Sequence, residues 1–233
     1  MKKIGIIIFI IALILGVTFA NFFSWGRASA KFFNFSVNFG GVQGSGNVLT
    51  EKRNVANFKS LEVSGAFDVE VVAQKDFSVE IEADDNLLQF IKTEVKGDTL
   101  KISTEKRISS KGALRVRIAA PNIEDLGVSG ASKISLANLQ NDSLKIDASG
   151  ASKIDASGET KNLEIELSGA SRLDAENLKT ENANIDASGA SKISVNVTGD
   201  LKADLSGASK VTYLGNPKNL EKSTSGASSV RGK

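Results

Sequence analysis

Neither cysteine nor histidine occurs anywhere in the 233 residues. Without cysteine the chain has no disulfide, no thiolate nucleophile and no thiolate zinc site. Without histidine it lacks the commonest general base, the Ser-His-acid triad and the imidazole metal ligands. Together these absences argue against an enzyme and against a bound cofactor. Aromatic residues are few and lopsided: all twelve Phe precede residue 91, eight of them in the first forty, and Gly, Ser and Ala dominate the second half. Net charge is nearly absent too. The chain has 29 basic and 27 acidic residues, and setting aside Lys2, Lys3 and Arg27 leaves 26 against 27. A near-neutral body whose repeats carry almost no aromatic rings offers neither the electrostatic grip nor the stacking platforms of a nucleic-acid binder.

What is present begins with an apolar run, Ile4 to Ala20, preceded by Lys2 and Lys3 and extensible to Phe23. Its length suits a spanning helix of about 20 residues and exceeds a signal core of roughly 7–15. Residues 1–23 are therefore expected to be a membrane anchor. Cleavage as a signal after Ala20 or Ala30 is the alternative, leaving a secreted or periplasmic protein. The paired lysines put the amino terminus in the cytoplasm and the remainder outside. Residues 24–46 read as a linker or stalk, with Phe33, Phe35, Val37 and Phe39 alternating as in a half-buried strand.

The tetrapeptide Ser-Gly-Ala-Ser occurs at 129–132, 149–152, 168–171, 188–191, 206–209 and 225–228, and a degenerate copy, Ser64-Gly65-Ala66-Phe67, lies upstream. Apolar residues flank each copy at period two, for example Leu163, Ile165 and Leu167 before one and Ile193, Val195 and Val197 after another. Helical spacing fits none of them. The last apolar residue before a copy and the first after it stay six apart (Val128 and Ile134, Leu167 and Leu173, Leu205 and Val211). That parity sends both strands to one interior across a bend at Gly130, Gly150, Gly169, Gly189, Gly207 and Gly226, where glycine accepts φ > 0. A unit of about 19 residues cannot bury its apolar face alone but can when stacked on copies of itself. The expected fold is all-β, a parallel β-helix with residues 129–233 as regular rungs. Residues 47–128 form its divergent N-terminal part, with strands near 60–63, 67–72, 78–83, 99–103 and 113–119. Asp84-Asp85-Asn86 before Leu87 is read as the cap of a short helix.

These residues are familiar in combination. Gly44-Ser45-Gly46-Asn47-Val48, Glu51-Lys52-Arg53, Val55, Phe58, Leu61-Glu62-Val63-Ser64-Gly65 and Asp84-Asp85-Asn86-Leu87-Leu88, followed by the tetrapeptide rungs, resemble the bacterial head GIN domain family of adhesin-like proteins. The resemblance implies a right-handed winding and export from the cytoplasm. It supplies no catalytic residue.

Three sets of side chains are candidates for more than packing. Ser132, Ser152, Ser171, Ser191, Ser209 and Ser228 fall on the inward parity and read as an internal hydroxyl ladder bonded to backbone. Asp147, Glu166, Asp186 and Asp204 would stack into an acidic stripe on one side of the bend, and Lys133, Lys153, Arg172, Lys192 and Lys210 into a basic stripe on the other. Solvated stripes that keep the sheet soluble are the plain reading. Weak divalent-cation or polyanionic glycan binding is the sharper one, although a single carboxylate column gives calcium too few oxygens. The expected function is a non-enzymatic envelope or surface module for adhesion, binding or scaffolding, with a glycan or a protein as partner. A polysaccharide-binding or polysaccharide-cleaving solenoid and an envelope-sensing accessory are the alternatives.

Overall fold

The structure, a computed structural model, describes residues 41–112 and 114–233. The apolar run at the amino terminus and the alternation at Phe33–Phe39 lie outside the described residues. Among those described, no helix is long and apolar enough to cross a membrane.

The body is an all-β solenoid with two long sides joined at the glycine bends. One side stacks Ser60–Gly65, Asp125–Gly130, the second halves of the long strands Lys133–Gly150, Lys153–Leu167 and Arg172–Ala187, then Asp200–Leu205 and Asn219–Thr224, all parallel. The other stacks Asp68–Val72, the first halves of the same long strands, then Lys192–Val197, Lys210–Leu214 and Ser229–Gly232. Inward residues line up from rung to rung: Leu61, Leu126, Ile146, Ile165, Ile185 and Ala203 on the first side, and Val69, Ile134, Ile154, Leu173, Ile193 and Val211 on the second. All are buried. Each large aliphatic side chain removed from water in this way contributes about 1.5–3 kcal/mol.

Gly65, Gly130, Gly150, Gly169, Gly189, Gly207 and Gly226 form one column, so the degenerate upstream copy belongs to the same ladder as the six regular ones. Gly169 illustrates what the bend requires. Its φ is +83°, and a Cβ there would lie 2.5 Å from the carbonyl oxygen of Gly150, one rung away. That oxygen already accepts the N–H of Ala170 at 2.8 Å.

Rung length varies, and the variation is absorbed away from these bends. Register shifts fall between Leu136 and Leu139, between Asp155 and Ser157, and between Ala175 and Lys179, all on the far side of the rung. Asn138 turns that corner with φ +60°. A short third side follows, where Leu139, Gly158 and Leu178 stack and Thr160 and Thr180 are buried.

Between the first and second rungs the chain makes a cap. Arg115–Ala119 pairs in parallel with Asp68–Val72, Ser78–Asp84 pairs antiparallel with Arg115–Ala119, and Val48–Arg53 closes that edge. On the other side the hairpin Ile91–Lys96 and Thr99–Thr104 extends the sheet beyond Ser60–Gly65. The helix expected after Asp84-Asp85-Asn86 is a single 3-10 turn, Leu88–Phe90, with no side-chain cap, and residues from Ile91 onward continue as strand. The three polar side chains are engaged elsewhere.

Candidate functional site

The glycine column marks the edge where side chains of one chemistry recur in register. Just inside it, Ser132, Ser152, Ser171, Ser191 and Ser209 are buried and Ser228, on the terminal rung, is partly so. Ser132 donates to the carbonyl of Gly65 and accepts the N–H of Phe67, each at 3.1 Å. Ser171 and Ser191 donate to Ser168 and Ser188 of their own bends, Ser152 to Ser149, and Ser228 to Gly207 one rung away. The Ser209 hydroxyl has no partner among the described residues. The other five hydroxyls bond backbone carbonyls at the bends, so they tie the bends together.

On the outer face before the bend, Asp147 pairs with Glu166, Glu166 with Asp186 and Asp186 with Asp204. Neighbouring charges one strand apart, roughly 4.8 Å, repel by about 1 kcal/mol in water before salt screens them. Only Glu166 is relieved directly: Lys145, in the adjacent column, reaches it at 2.5 Å and Glu164 at 2.9 Å. The hydrogen bond from Lys145 holds the Glu166 carboxyl below its usual range, and those to Glu166 and Glu164 raise the ammonium of Lys145. Asp147, Asp186 and Asp204 make no salt bridge among the described residues. No three acidic groups there come close enough to hold a metal ion. At Gly127 the column loses its side chain, leaving a notch of about 360 Å³ beside Glu62, Asp125 and Asp147. Burial pushes the Asp125 carboxyl up.

After the bend, Lys133, Lys153, Arg172, Lys192 and Lys210 follow one another in register without a break, all exposed. The next outward column holds Ser135, Asp155, Asp174, Ser194 and Thr212. Lys153 reaches Asp155 at 3.1 Å, and Arg172 reaches Asp174 at 4.0 Å.

The short third side carries an open polar groove of about 960 Å³ that includes Asn122, Gln140, Asn141, Glu159, Lys179 and Asn196. Much of its polarity is satisfied internally, with Lys179 on Glu159 at 2.9 Å and Lys161 on Asp142 at 2.6 Å. The side-chain oxygens of Asn122 and Asn141 have no partner among the described residues. The repeat count shows the bends but not this groove, because the third side has no motif of its own.

The residues that carry the family resemblance meet at the capped end. Asp84, 1% exposed, accepts the N–H of Gly46 at 2.6 Å and the hydroxyl of Ser110. Asp85 accepts the Ser45 hydroxyl at 2.5 Å, while Asn86 accepts the Ser45 N–H at 2.9 Å and donates to the Gln43 carbonyl at 2.8 Å. The Asp84 carboxylate occupies the space where a Cβ on Gly44 would stand. The Ser110 hydroxyl, helped by the N–H groups of Gly46 and Lys111, holds the Asp84 carboxyl below its usual range against the opposing effect of burial. Residues 43–47 and 84–86 thus form a latch. It fixes the incoming chain together with the parallel pair Val42–Gln43 and Ile108–Ser109, which gives these residues a structural role.

Comparison with known proteins agrees with this architecture. A "putative adhesin" of Bacteroides fragilis superposes with a TM-score of 0.67 at 19% identity, covering 83% of this chain and 100% of that one. A "putative lipid binding protein" of Parabacteroides distasonis gives 0.56 at 19% identity over 83% and 100%. A "putative adhesin" of Parabacteroides merdae gives 0.55 at 16% identity over 82% and 98%. At such identities the likeness shows the shared fold alone. No curated protein matches. The family described as "Putative auto-transporter adhesin, head GIN domain" matches residues 57–217, more than half of the chain, and with the latch and the glycine ladder in place the chain belongs to the head GIN domain family.

Proposed function

We propose that the chain is a non-enzymatic binding module of the cell envelope, carried outside the cytoplasm on its apolar N-terminal run and engaging an extended partner, as an adhesin or a scaffold, along the outer faces of a right-handed solenoid. The observation that carries this reading is the register. Outward side chains of like charge repeat from rung to rung along the edge, which suits contact with something that is itself long and repetitive. Catalysis needs the opposite arrangement, with unlike groups converging on one point. The adhesin-like name of the family adds support, as does the absence of histidine and cysteine.

The test uses the full chain expressed in a bacterial host. Added protease should degrade the body on intact cells. Cells that make the protein should adhere to surfaces coated with envelope glycans or matrix proteins better than cells that do not. A protected body, or adhesion unchanged on every coating, would overturn the reading.

A further inference from the structure

The acidic column, the groove and the basic column are the strongest features not absorbed by the packing, and the basic column carries the most specific consequence. We infer that Lys133, Lys153, Arg172, Lys192 and Lys210 form a track for a single linear acidic polysaccharide, one bearing about one carboxylate or sulfate per sugar. The inference rests on the reading of the chain as a binding module and names the ligand class for one of its faces.

Three observations converge on it. First, the column is an unbroken parallel ladder, so its cations recur at the strand spacing of roughly 4.8 Å. That interval is close to the rise of one sugar in an extended glycan chain. Second, it is under-compensated. Lys153 and Arg172 have carboxylate partners, but Lys192 and Lys210 lie beside Ser194 and Thr212, and Lys133, beside Ser135, meets the carboxylate of Asp68 only as the next residue of its own column, where the track ends. No salt bridge reaches those three among the described residues; elsewhere on the body Lys145, Lys161 and Lys179 are paired, and Lys202 and Lys222, which are not, stand outside any basic column.

Third, the track is narrow. Asp155 and Asp174 stand on one side of it, and across the bend stand Asp147, Glu166, Asp186 and Asp204. Between the bend and the cations lie only the exposed methyl groups of Ala131, Ala151, Ala170, Ala190 and Ala208. A lipid surface or a DNA duplex is broad, and its anionic groups would press against both rows of carboxylates. One polymer strand fits between them. Single-stranded nucleic acid is also narrow, but it draws much of its affinity from stacking on aromatic rings, and Tyr213 is the one aromatic residue in the repeats.

The experiment measures binding of the detergent-solubilised full chain to polygalacturonate at several salt concentrations. Neutral dextran, single-stranded DNA and anionic phosphatidylglycerol vesicles serve as comparisons. Neutralising five cations should give a slope of log affinity against log salt of roughly −3.5, taking about 0.7 per charge as for single-stranded polyanions. The triple variant K133Q/K192Q/K210Q should lose roughly 2 from the magnitude of that slope. It should also bind at least about tenfold more weakly at low salt, with an unchanged melting temperature. The control K202Q/K222Q, outside the column, should bind as wild type. Polygalacturonate binding that the triple variant leaves intact, or equal binding to DNA or vesicles, would overturn the track. So would salt-insensitive binding of dextran alone, although that result leaves the binding-module reading standing, with the groove as its site. If cells adhere in the wider assay but no acidic glycan binds, the track fails and the broader reading survives.

Discussion

Replacing Gly169 by alanine adds one methyl group at the point where two demands coincide. With φ at +83° an L-residue is disfavoured by about 1–2 kcal/mol. The new Cβ would also lie 2.5 Å from the Gly150 carbonyl oxygen. That oxygen cannot retreat without lengthening its 2.8 Å bond from Ala170. Crowding of this kind costs about 1–3 kcal/mol, so the two effects sum to roughly 2–5 kcal/mol. In a domain of this size the melting temperature should fall by on the order of ten degrees. Two other glycines separate the contributions. Gly97 has φ +65° but nothing within 4 Å of a new Cβ, so G97A should cost only the conformational part, about 1–2 kcal/mol. Gly112 has neither demand, and G112A should be neutral or stabilising by up to about 1 kcal/mol through the unfolded chain. Thermal melts of the three variants, followed by circular dichroism on the full chain, should rank G169A well below G97A and G97A below G112A. If G169A melts with G97A, the rungs are not in backbone contact at the bend and the stacking geometry described above is wrong.

Two further outcomes are expected. The depressed carboxyl of Asp84 contributes stability above the ordinary carboxylate value of about 3.9, and that contribution disappears as pH falls through its lower folded value. D84N should therefore lower the melting point at neutral pH, narrow its difference from wild type toward pH 3 or so, and open residues 41–47 to proteolysis; a pH-independent difference would refute the latch. Among the inner serines, S132A strands the N–H of Phe67 and should cost about 1–3 kcal/mol in urea melts, whereas S209A removes a hydroxyl without a partner and should be neutral or better; equal costs would refute the distinction.

The rungs were legible because their bends repeat in sequence. Steric demand at the glycines admits one residue type, and the constant six-residue interval across each bend preserves parity. Even the degenerate copy at Ser64-Gly65 could be found, since only its last position departs, and there Phe67 supplies the N–H that the Ser132 hydroxyl caps. The expected strands at 78–83 and 113–119 also exist, as Ser78–Asp84 and Arg115–Ala119, but alternation does not specify direction. That these two pair antiparallel and close the end of the solenoid depends on partners distant in sequence. Asp84-Asp85-Asn86 misled for a related reason. A short polar run before an apolar one looks like a helix cap when read locally, whereas its partners, Gly46, Ser45 and Ser110, lie far away along the chain. The two charged columns followed directly from the repeat. The groove on the third side did not, because it is built at the corner where rung lengths differ and no period survives.

The latch also sets the order in which the body would yield to tension. A pull on the chain ahead of residue 41 meets the bonds from Val42 to Arg107 and Gly44 to Ser109, together with those around Asp84 and Asn86, before it reaches anything else. Only when these have parted does the load pass to Val48–Arg53 and its antiparallel partner, and only then to the first rung at Ser60. Along the chain the solenoid thus lies in series behind this clasp, so tension applied at residue 41 is carried by the hydrogen bonds of residues 42–47 before it reaches any rung of the outer face.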